Sequence, residues 1–154
     1  MTVARTFDLN LVRDIITSPE VYRHVSDDGS PNPEDFTPAT DPRVIYLSIA
    51  EGGALDGVFI LVPQNAATIE VHTCLRKPLW GAAIEATKQG IGWVWENTNF
   101  QRIVTNVPAP NRLAAKLSEK SGMEMYGVNR RSFLKGGHLY DQVLFGISRE
   151  AVCR

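Results

Sequence analysis

Thr68–Ala86 reads TIEVHTCLRKPLWGAAIEA, and within it a strand-like alternation of side chains gives way to an Ala-rich helical pattern. The alternation breaks at Lys77-Pro78, and the helical pattern opens at Trp80-Gly81-Ala82-Ala83. A strand that ends in a Gly-containing turn at a helix N-terminus presents unpaired backbone N–H groups and the positive end of the helix dipole, and together these bind phosphate. The stretch therefore predicts a site for a phosphorylated cofactor.

Length, charge and cysteine content limit the class of protein. The chain has 154 residues, which favours one domain over residues 1–154. Its formal net charge of -1 and its pI of 6.3 argue against a nucleic-acid-binding surface. No apolar run approaches the roughly 20 residues of a membrane span, and no signal-peptide pattern opens the chain. Cys74 and Cys153 give no disulfide or zinc framework, so we expect no metal site and a cytoplasmic location.

Hydrophobic periodicity and turn residues predict the order β-α-α-β-β-β-α-β-α-β-β. The expected fold is α/β (α+β), with a mixed, mostly antiparallel sheet and one βαβ crossover. Asp27–Pro42 carries four prolines and five carboxylates and is predicted to be a loop. The predicted helices are Leu11–Ile16, Ser18–Val25, Gly81–Asn97 and Asn111–Ser121, the last with Leu113, Ala114 and Leu117 facing inward, and a final hairpin crosses Gly136-Gly137.

Two sequence motifs, placed along the predicted order of elements, resemble motifs of the GNAT superfamily, the acetyl-CoA-dependent N-acetyltransferases. Gly81 followed by Ala83 is similar to the family's pyrophosphate turn, Gln/Arg-x-x-Gly-x-Gly/Ala. VPAPNRLAAKLSEKSGMEMYG, residues 107–127, resembles its Asn-x-x-Ala-x-x-Leu-Tyr-x-x-x-Gly-Phe segment. The positions in register there are Asn111, Ala114, Leu117 and Gly122.

Shorter features refine the resemblance. The terminal strand Tyr140–Phe145 also resembles that of GNAT proteins. The Trp80-Gly81 pair resembles the ribosomal-protein N-terminal acetyltransferases, whereas His72-Thr73 and Arg130–Gly137 resemble GNAT-like proteins of tailed bacteriophages. The resemblance implies the GNAT fold and acetyl-CoA as co-substrate. It places the cofactor along the strand Glu70–Leu75, with contacts from Cys74, Leu75, Arg76, Trp80, Gly81, Ala82, Ala83 and Asn111.

Three positions depart from the family pattern. Pro78 occupies the Gln/Arg position of the pyrophosphate turn, unless the turn is shifted so that Arg76 takes that place. Met123 replaces the aromatic residue of the later motif. Ser118 stands where many members carry the Tyr that protonates the departing thiolate, and Tyr126 or Tyr140 is a candidate to replace it.

Acetyl transfer to an amine needs a group that accepts the amine proton, since only the neutral amine attacks a thioester. Alternation on the strand places Glu70, His72, Cys74 and Arg76 on one face. Glu70 or His72 is therefore the candidate base, directly or through water, unless the two are solvent-facing or satisfy each other. Cys74 is more simply a buried structural thiol, because residues two apart on a strand lie about 7 Å from each other, too far for activation by His72.

The remaining candidates have two interpretations each. Asn111 is a helix N-cap, and it could also touch the pantetheine arm, as the resemblance implies. Trp80 could stack on the adenine of the cofactor or pack against the hydrophobic core. The sequence is interpreted as an N-acetyltransferase acting on a primary amine of a small molecule or peptide, with homodimerisation left open. The alternative is a catalytically inactive GNAT-fold binding or assembly protein encoded by a phage, which would place it in the host cytoplasm.

Overall fold

The structure, a computed structural model, describes residues 1–149, and Cys153 lies outside them. Its element order matches the predicted order, with two short 3₁₀ helices added, at Pro33–Asp35 and Lys77–Ala82. The strands are β1 (Thr2–Arg5), β2 (Ile45–Glu51), β3 (Ala54–Pro63), β4 (Thr68–Leu75), β5 (Arg102–Pro108), β6 (Glu124–Lys135) and β7 (His138–Ser148). The helices are α1 (Leu9–Ile16), α2 (Pro19–Val25), α3 (Ala83–Asn97) and α4 (Arg112–Lys120).

All seven strands form one sheet in the order β1-β2-β3-β4-β5-β7-β6. Every neighbouring pair is antiparallel except β4 and β5, which run parallel and are connected through α3. The predicted mixed sheet with one βαβ crossover is therefore confirmed.

Helices cover both faces of this sheet. On one face α1 and α2 bury an apolar cluster whose strand members are Tyr46, Val58 and Cys74. On the other face α3 packs on a larger cluster that includes Phe59 and Phe145. Burial of apolar surface on both faces is the main driving force for this arrangement.

The central helix α3 begins at Ala83, two residues later than predicted, because a 3₁₀ helix precedes it. The residues of α3 that are buried against the sheet are Ala86, Thr87, Gly90, Ile91 and Val94. Gly90 allows a close approach to the sheet, since a Cβ there would lie 2.9 Å from Cε2 of Phe59.

One predicted core position in α4 is wrong. Leu113 is 80% exposed, whereas Ser118 and Ser121 are buried and Ala114 is partly buried. Each helical residue turns by about 100°, so Leu113 lies roughly a quarter turn away from the face that the other three share. Leu117, also predicted to face inward, is partly buried.

Within residues 1–149, no helix is long and apolar enough to cross a membrane. The same part of the chain contains no group of three or more His, Cys, Asp or Glu side chains that could hold a metal ion.

Candidate functional site

The parallel strands β4 and β5 separate after a short paired segment. Their ladder joins Thr68–Glu70 to Arg102–Val104, and no further pair continues it within the described chain. Just beyond it, Thr105 Oγ1 donates a hydrogen bond of 3.1 Å to the carbonyl oxygen of Val71. The widening gap opens into a cavity of about 330 Å³.

Six parts of the fold contribute side chains to this cavity, and Thr87 comes from α3. Glu70 and His72 come from β4, and Thr105 and Asn106 come from β5. The remaining walls are α4, the end of α2 with the loop after it, and the β6–β7 hairpin; they contribute Asn111, Leu117, Ser118, His24, Asp27, Ser132, Phe133 and Gln142, among others. The cavity thus lies where the parallel strands diverge, at the topological break of the sheet.

Glu70 and His72 form a pair at this cavity. His72 Nε2 lies 3.3 Å from Glu70 Oε1, and the side chains of Glu70 and His72 are 18% and 48% exposed. Asn106 Nδ2 donates to Glu70 Oε1 at 3.5 Å, and Gln64 Nε2 donates to Glu70 Oε2 at 3.2 Å. The carboxylate of Glu70 is therefore held by two amides and directed at the imidazole.

The polar face predicted for β4 ends after His72. Cys74 is 1% exposed and packs in the cluster beneath α1 and α2. Burial raises the pKa of its thiol to about 12, so it stays protonated at neutral pH. Cys74 does not line the cavity, and its surroundings favour the structural role over a nucleophilic one.

Arg76, at the end of β4, is tied to the protein itself. Its Nε donates to Ser18 Oγ at 2.8 Å, and its guanidinium lies 3.5 Å from Asp56 Oδ1. The backbone N–H of Arg76 also donates to the carbonyl oxygen of Asp56 at 2.8 Å. These contacts link the start of α2 to the β3–β4 pair, and a phosphate would have to compete with them for this side chain.

The turn between β4 and α3 differs from a simple open loop. A 3₁₀ helix over Lys77–Ala82 uses the N–H of Leu79, which bonds to the carbonyl of Arg76, and that of Ala83, which bonds to Trp80. Trp80 is 46% exposed, and its Nε1 donates to the carbonyl of Leu75 at 2.9 Å.

The first turn of α3 nevertheless fits an anion. Its N-cap residue is Ala82, and no side chain caps it, whereas Asp8 caps α1 and Asn111 caps α4. Gly81 is exposed, and a Cβ there would meet nothing within 4 Å. The N–H of Ala83 is taken by Trp80, but the positive end of the helix dipole lies beside open space with no capping side chain, and this suits a phosphate group.

Ser118 and Asn111 line the cavity from α4, as their predicted roles require. Ser118 Oγ donates to the carbonyl of Ala114 at 3.0 Å, and Asn111 Oδ1 accepts from the N–H of Ala114 at 3.2 Å. The N-cap interpretation of Asn111 is therefore confirmed. Its contact with a cofactor stays a prediction.

Tyr126 lies elsewhere. It is 50% exposed on β6, and the guanidinium of Arg102 lies 5.0 Å from the centre of its ring. Neither Tyr126 nor Tyr140 is among the residues that line the cavity. Of the predicted catalytic residues, the structure brings together Glu70, His72 and Ser118.

Several cavity residues were not predicted from the sequence. Asn106 could have been found, because Glu70 faces Val104 in the parallel ladder and Asn106 lies two residues further along β5. Ser132 could not have been found, because it lies in the irregular part of β6 between Asn129 and Phe133. Gln142 could not either, because its place depends on the pairing of β7 with Pro108 and Asn129. Ser132 Oγ donates to Gln142 Oε1 at 2.9 Å.

His24 is a second histidine at the cavity. The protein around it partly desolvates its imidazole and lowers its pKa, and the charges of Arg23 and Lys135 lower it further. Arg23 Nε donates to His24 Nε2 at 3.3 Å. The accepting nitrogen of the neutral ring is thus already occupied, which leaves His72 as the histidine better placed to take a proton.

Sequence comparison finds a family and a phage relative. Residues 25–153 match the family described as "Protein of unknown function (DUF2824)". The chain is also 26% identical, over 107 residues, to protein p31 of Acyrthosiphon pisum secondary endosymbiont phage 1. That alignment covers 69% of each of the two chains.

Solved acetyltransferases share the fold. A chimera of spermidine N-acetyltransferase SpeG from Vibrio cholerae and hSSAT matches with a TM-score of 0.81 at 15% identity, over 100% of both chains. A GNAT-family acetyltransferase from Bacillus anthracis matches with a TM-score of 0.74 at 17% identity, over 96% of this chain and 94% of its own. Vibrio cholerae spermidine N-acetyltransferase in complex with CoA and spermine gives 0.73 at 17% identity, over 99% and 98%. The solved structures show that the chain has the GNAT fold. The family match shows that it belongs to the DUF2824 family.

Proposed function

We propose that this protein is an N-acetyltransferase that moves an acetyl group from acetyl-CoA to a primary amine of a small molecule or peptide. The observation that carries the proposal is the Glu70–His72 pair, with 3.3 Å between His72 Nε2 and Glu70 Oε1, in a cavity between the diverging strands β4 and β5. A proton acceptor at that point is what amine acetylation requires.

The fit of acetyl-CoA rests on two features of the chain. Beyond Glu70, β4 has no ladder partner on the β5 side within the described residues, so an amide-containing arm could extend the pairing there. The uncapped first turn of α3, with Gly81 beside it, suits the pyrophosphate. When bound, acetyl-CoA would supply an activated acetyl thioester.

Two residues are candidates for the base, and their contact suggests a division of roles. Glu70 Oε1 lies 3.3 Å from His72 Nε2 and favours a proton on that nitrogen, because the carboxylate is negative. His72 Nδ1 is then the free acceptor for the amine proton, directly or through a water. In the second assignment Glu70 takes the proton itself, and His72 orients it.

Ser118 is the better placed of the predicted thiolate donors. It lines the cavity, whereas Tyr126 does not. Its hydroxyl donates to the carbonyl of Ala114 at 3.0 Å, so the hydroxyl must rotate away from this carbonyl to donate into the cavity. Ser118 is also a weaker acid than a Tyr phenol, and we expect its contribution to be small.

The charges at the cavity favour a cationic acceptor. Asp27 and Glu70 line it, and no Lys or Arg is among the lining residues of the described chain. A negative lining raises the local concentration of protonated amines. Polyamines should be among the amines that are tested as acceptors, because a protein of the same fold was solved with spermine.

A second candidate function is a catalytically inactive binding or assembly module encoded by a phage. It is favoured by the occupied hydroxyl of Ser118 and by the phage origin of the related protein p31. On either function, a cytoplasmic location and a homodimer stay predictions from the sequence.

A panel of amines separates the two functions. With acetyl-CoA and a thiol reagent, we expect CoA release above background for at least one member of a panel of polyamines, monoamines and peptides with a free N-terminus. Mass spectrometry should find the matching product, heavier by one acetyl group. Binding of acetyl-CoA without any release across the panel would favour the inactive module.

A further inference from the structure

The tip of the β6–β7 hairpin is bonded to the end of α2 and the loop that follows. Asp28 accepts hydrogen bonds from the N–H groups of Gly136 at 2.8 Å and Gly137 at 2.9 Å. The N–H of Asp28 donates to the carbonyl of Leu134 at 3.0 Å. Lys135 Nζ donates to the carbonyls of Arg23 and Ser26, the latter at 3.0 Å.

The contact consists of a carboxylate bound to two glycine N–H groups and an ammonium group bound to two carbonyls. Gly136 and Gly137 have φ of 58° and 76°, so the turn needs glycine, and it exposes two neighbouring N–H groups to one carboxylate. Their hydrogen bonds lower the pKa of Asp28, which therefore stays ionised at neutral pH. Lys135 places a positive charge on carbonyls at the C-terminal end of α2, where the helix dipole is negative.

Both elements joined by this contact, α2 with the loop after it and the β6–β7 hairpin, contribute residues to the wall of the cavity. His24 and Asp27, on the α2 side, line the cavity, and so do Ser132 and Phe133 on β6. Behind them β6 bulges, with Arg131 at a φ of 52° and its N–H bonded to Asp141 Oδ1 at 2.9 Å. A bulge interrupts the β6–β7 ladder, so no ladder pair holds the three residues between Asn129 and Phe133.

We infer that Asp28 and Lys135 form a latch that holds the β6–β7 hairpin against α2 and thereby fixes one wall of the cavity. Glu70 and His72 line the same cavity from β4, so this wall bounds the space beside the proposed base. This role rests on the proposed function: the wall bounds the space in which the amine reaches Glu70 and His72, and Asp28 and Lys135 are positioning residues that do not touch the reacting atoms.

Hydrogen–deuterium exchange of the unliganded protein tests the latch without any substrate. In Asp28→Ala, we expect amide exchange to rise about tenfold or more in segments 20–26 and 129–135, with exchange in α3 unchanged. Asp35→Ala is the matched control: Asp35 is an exposed carboxylate of the same loop, and its side chain makes no hydrogen bond within residues 1–149. Faster exchange confined to Gly136 and Gly137 would overturn the latch.

A second variant keeps the test decisive if Asp28→Ala fails to fold. Lys135→Met keeps the aliphatic stem and removes the ammonium, and it should loosen the same segments. With an amine that the wild type acetylates, both variants should have a higher KM for the amine than the wild type and an unchanged KM for acetyl-CoA. An unchanged KM for the amine would exclude a role of the latch in acceptor binding. If no amine is acetylated by the wild type, the proposed function fails, while the exchange data still decide whether the latch exists.

Discussion

His72→Gln or Glu70→Gln is expected to lower acetyl transfer by about 10²–10⁴-fold while acetyl-CoA affinity stays unchanged. The base acts on the amine and not on the cofactor, so its loss should appear in the rate of transfer. The variant with the larger loss identifies the proton acceptor, and the other residue is then the one that orients it. Steady-state rates with a saturating amine, together with acetyl-CoA titrations, measure both quantities.

Matched controls exist on the β6–β7 hairpin. His138→Gln and Glu124→Gln make the same chemical changes at exposed positions that do not line the cavity. Both should transfer acetyl groups at the wild-type rate. Wild-type transfer in both cavity variants would remove the base assignment, and direct attack by an already neutral amine would become the better mechanism.

Gly81→Asp is expected to weaken acetyl-CoA binding by about 100-fold or more. A carboxylate at the first turn of α3 repels the pyrophosphate, and a like-charge contact at about 4 Å costs on the order of 4 kcal/mol at the effective dielectric of a protein surface, whereas a 100-fold change in affinity is about 2.7 kcal/mol. The fold should be unaffected, because a Cβ at Gly81 meets nothing within 4 Å. Calorimetric titration measures the affinity, and circular dichroism checks the fold.

Gly81→Ala separates charge from bulk in this experiment. It adds the Cβ without the carboxylate and should bind acetyl-CoA more tightly than Gly81→Asp does. Equal affinity in the wild type and in Gly81→Asp would place the pyrophosphate elsewhere, the shifted turn at Arg76 being the next position to test.

The order of elements was predictable because it depends on local chemistry. An element boundary can be read from the few residues around it. Examples are the end of the alternation in β4, the prolines of the long loop and the glycine pair at the final turn. The inward position of Leu113 was predicted wrongly because α4 contacts the core along a narrow strip, and a short helix with mixed side chains does not reveal where that strip lies.

The candidate site was predictable only along β4. Glu70 and His72 share a strand face, which alternation reveals, but the amides that hold Glu70 come from Gln64 and from the neighbouring strand. Asn106 reaches Glu70 through the parallel register. The latch depends on bonds between residues more than 100 positions apart, such as Asp28 and Gly136, and nothing local in the sequence pairs them.

Titration of the wild-type protein with acetyl-CoA, followed by unfolding, tests the central claim most directly. If the cavity and the first turn of α3 hold the cofactor, a hundredfold excess over its dissociation constant should stabilise the folded state by about 2.7 kcal/mol. Gly81→Asp, at the same concentration, should show almost none of this stabilisation. An unchanged unfolding midpoint for the wild type at millimolar acetyl-CoA would contradict the claim.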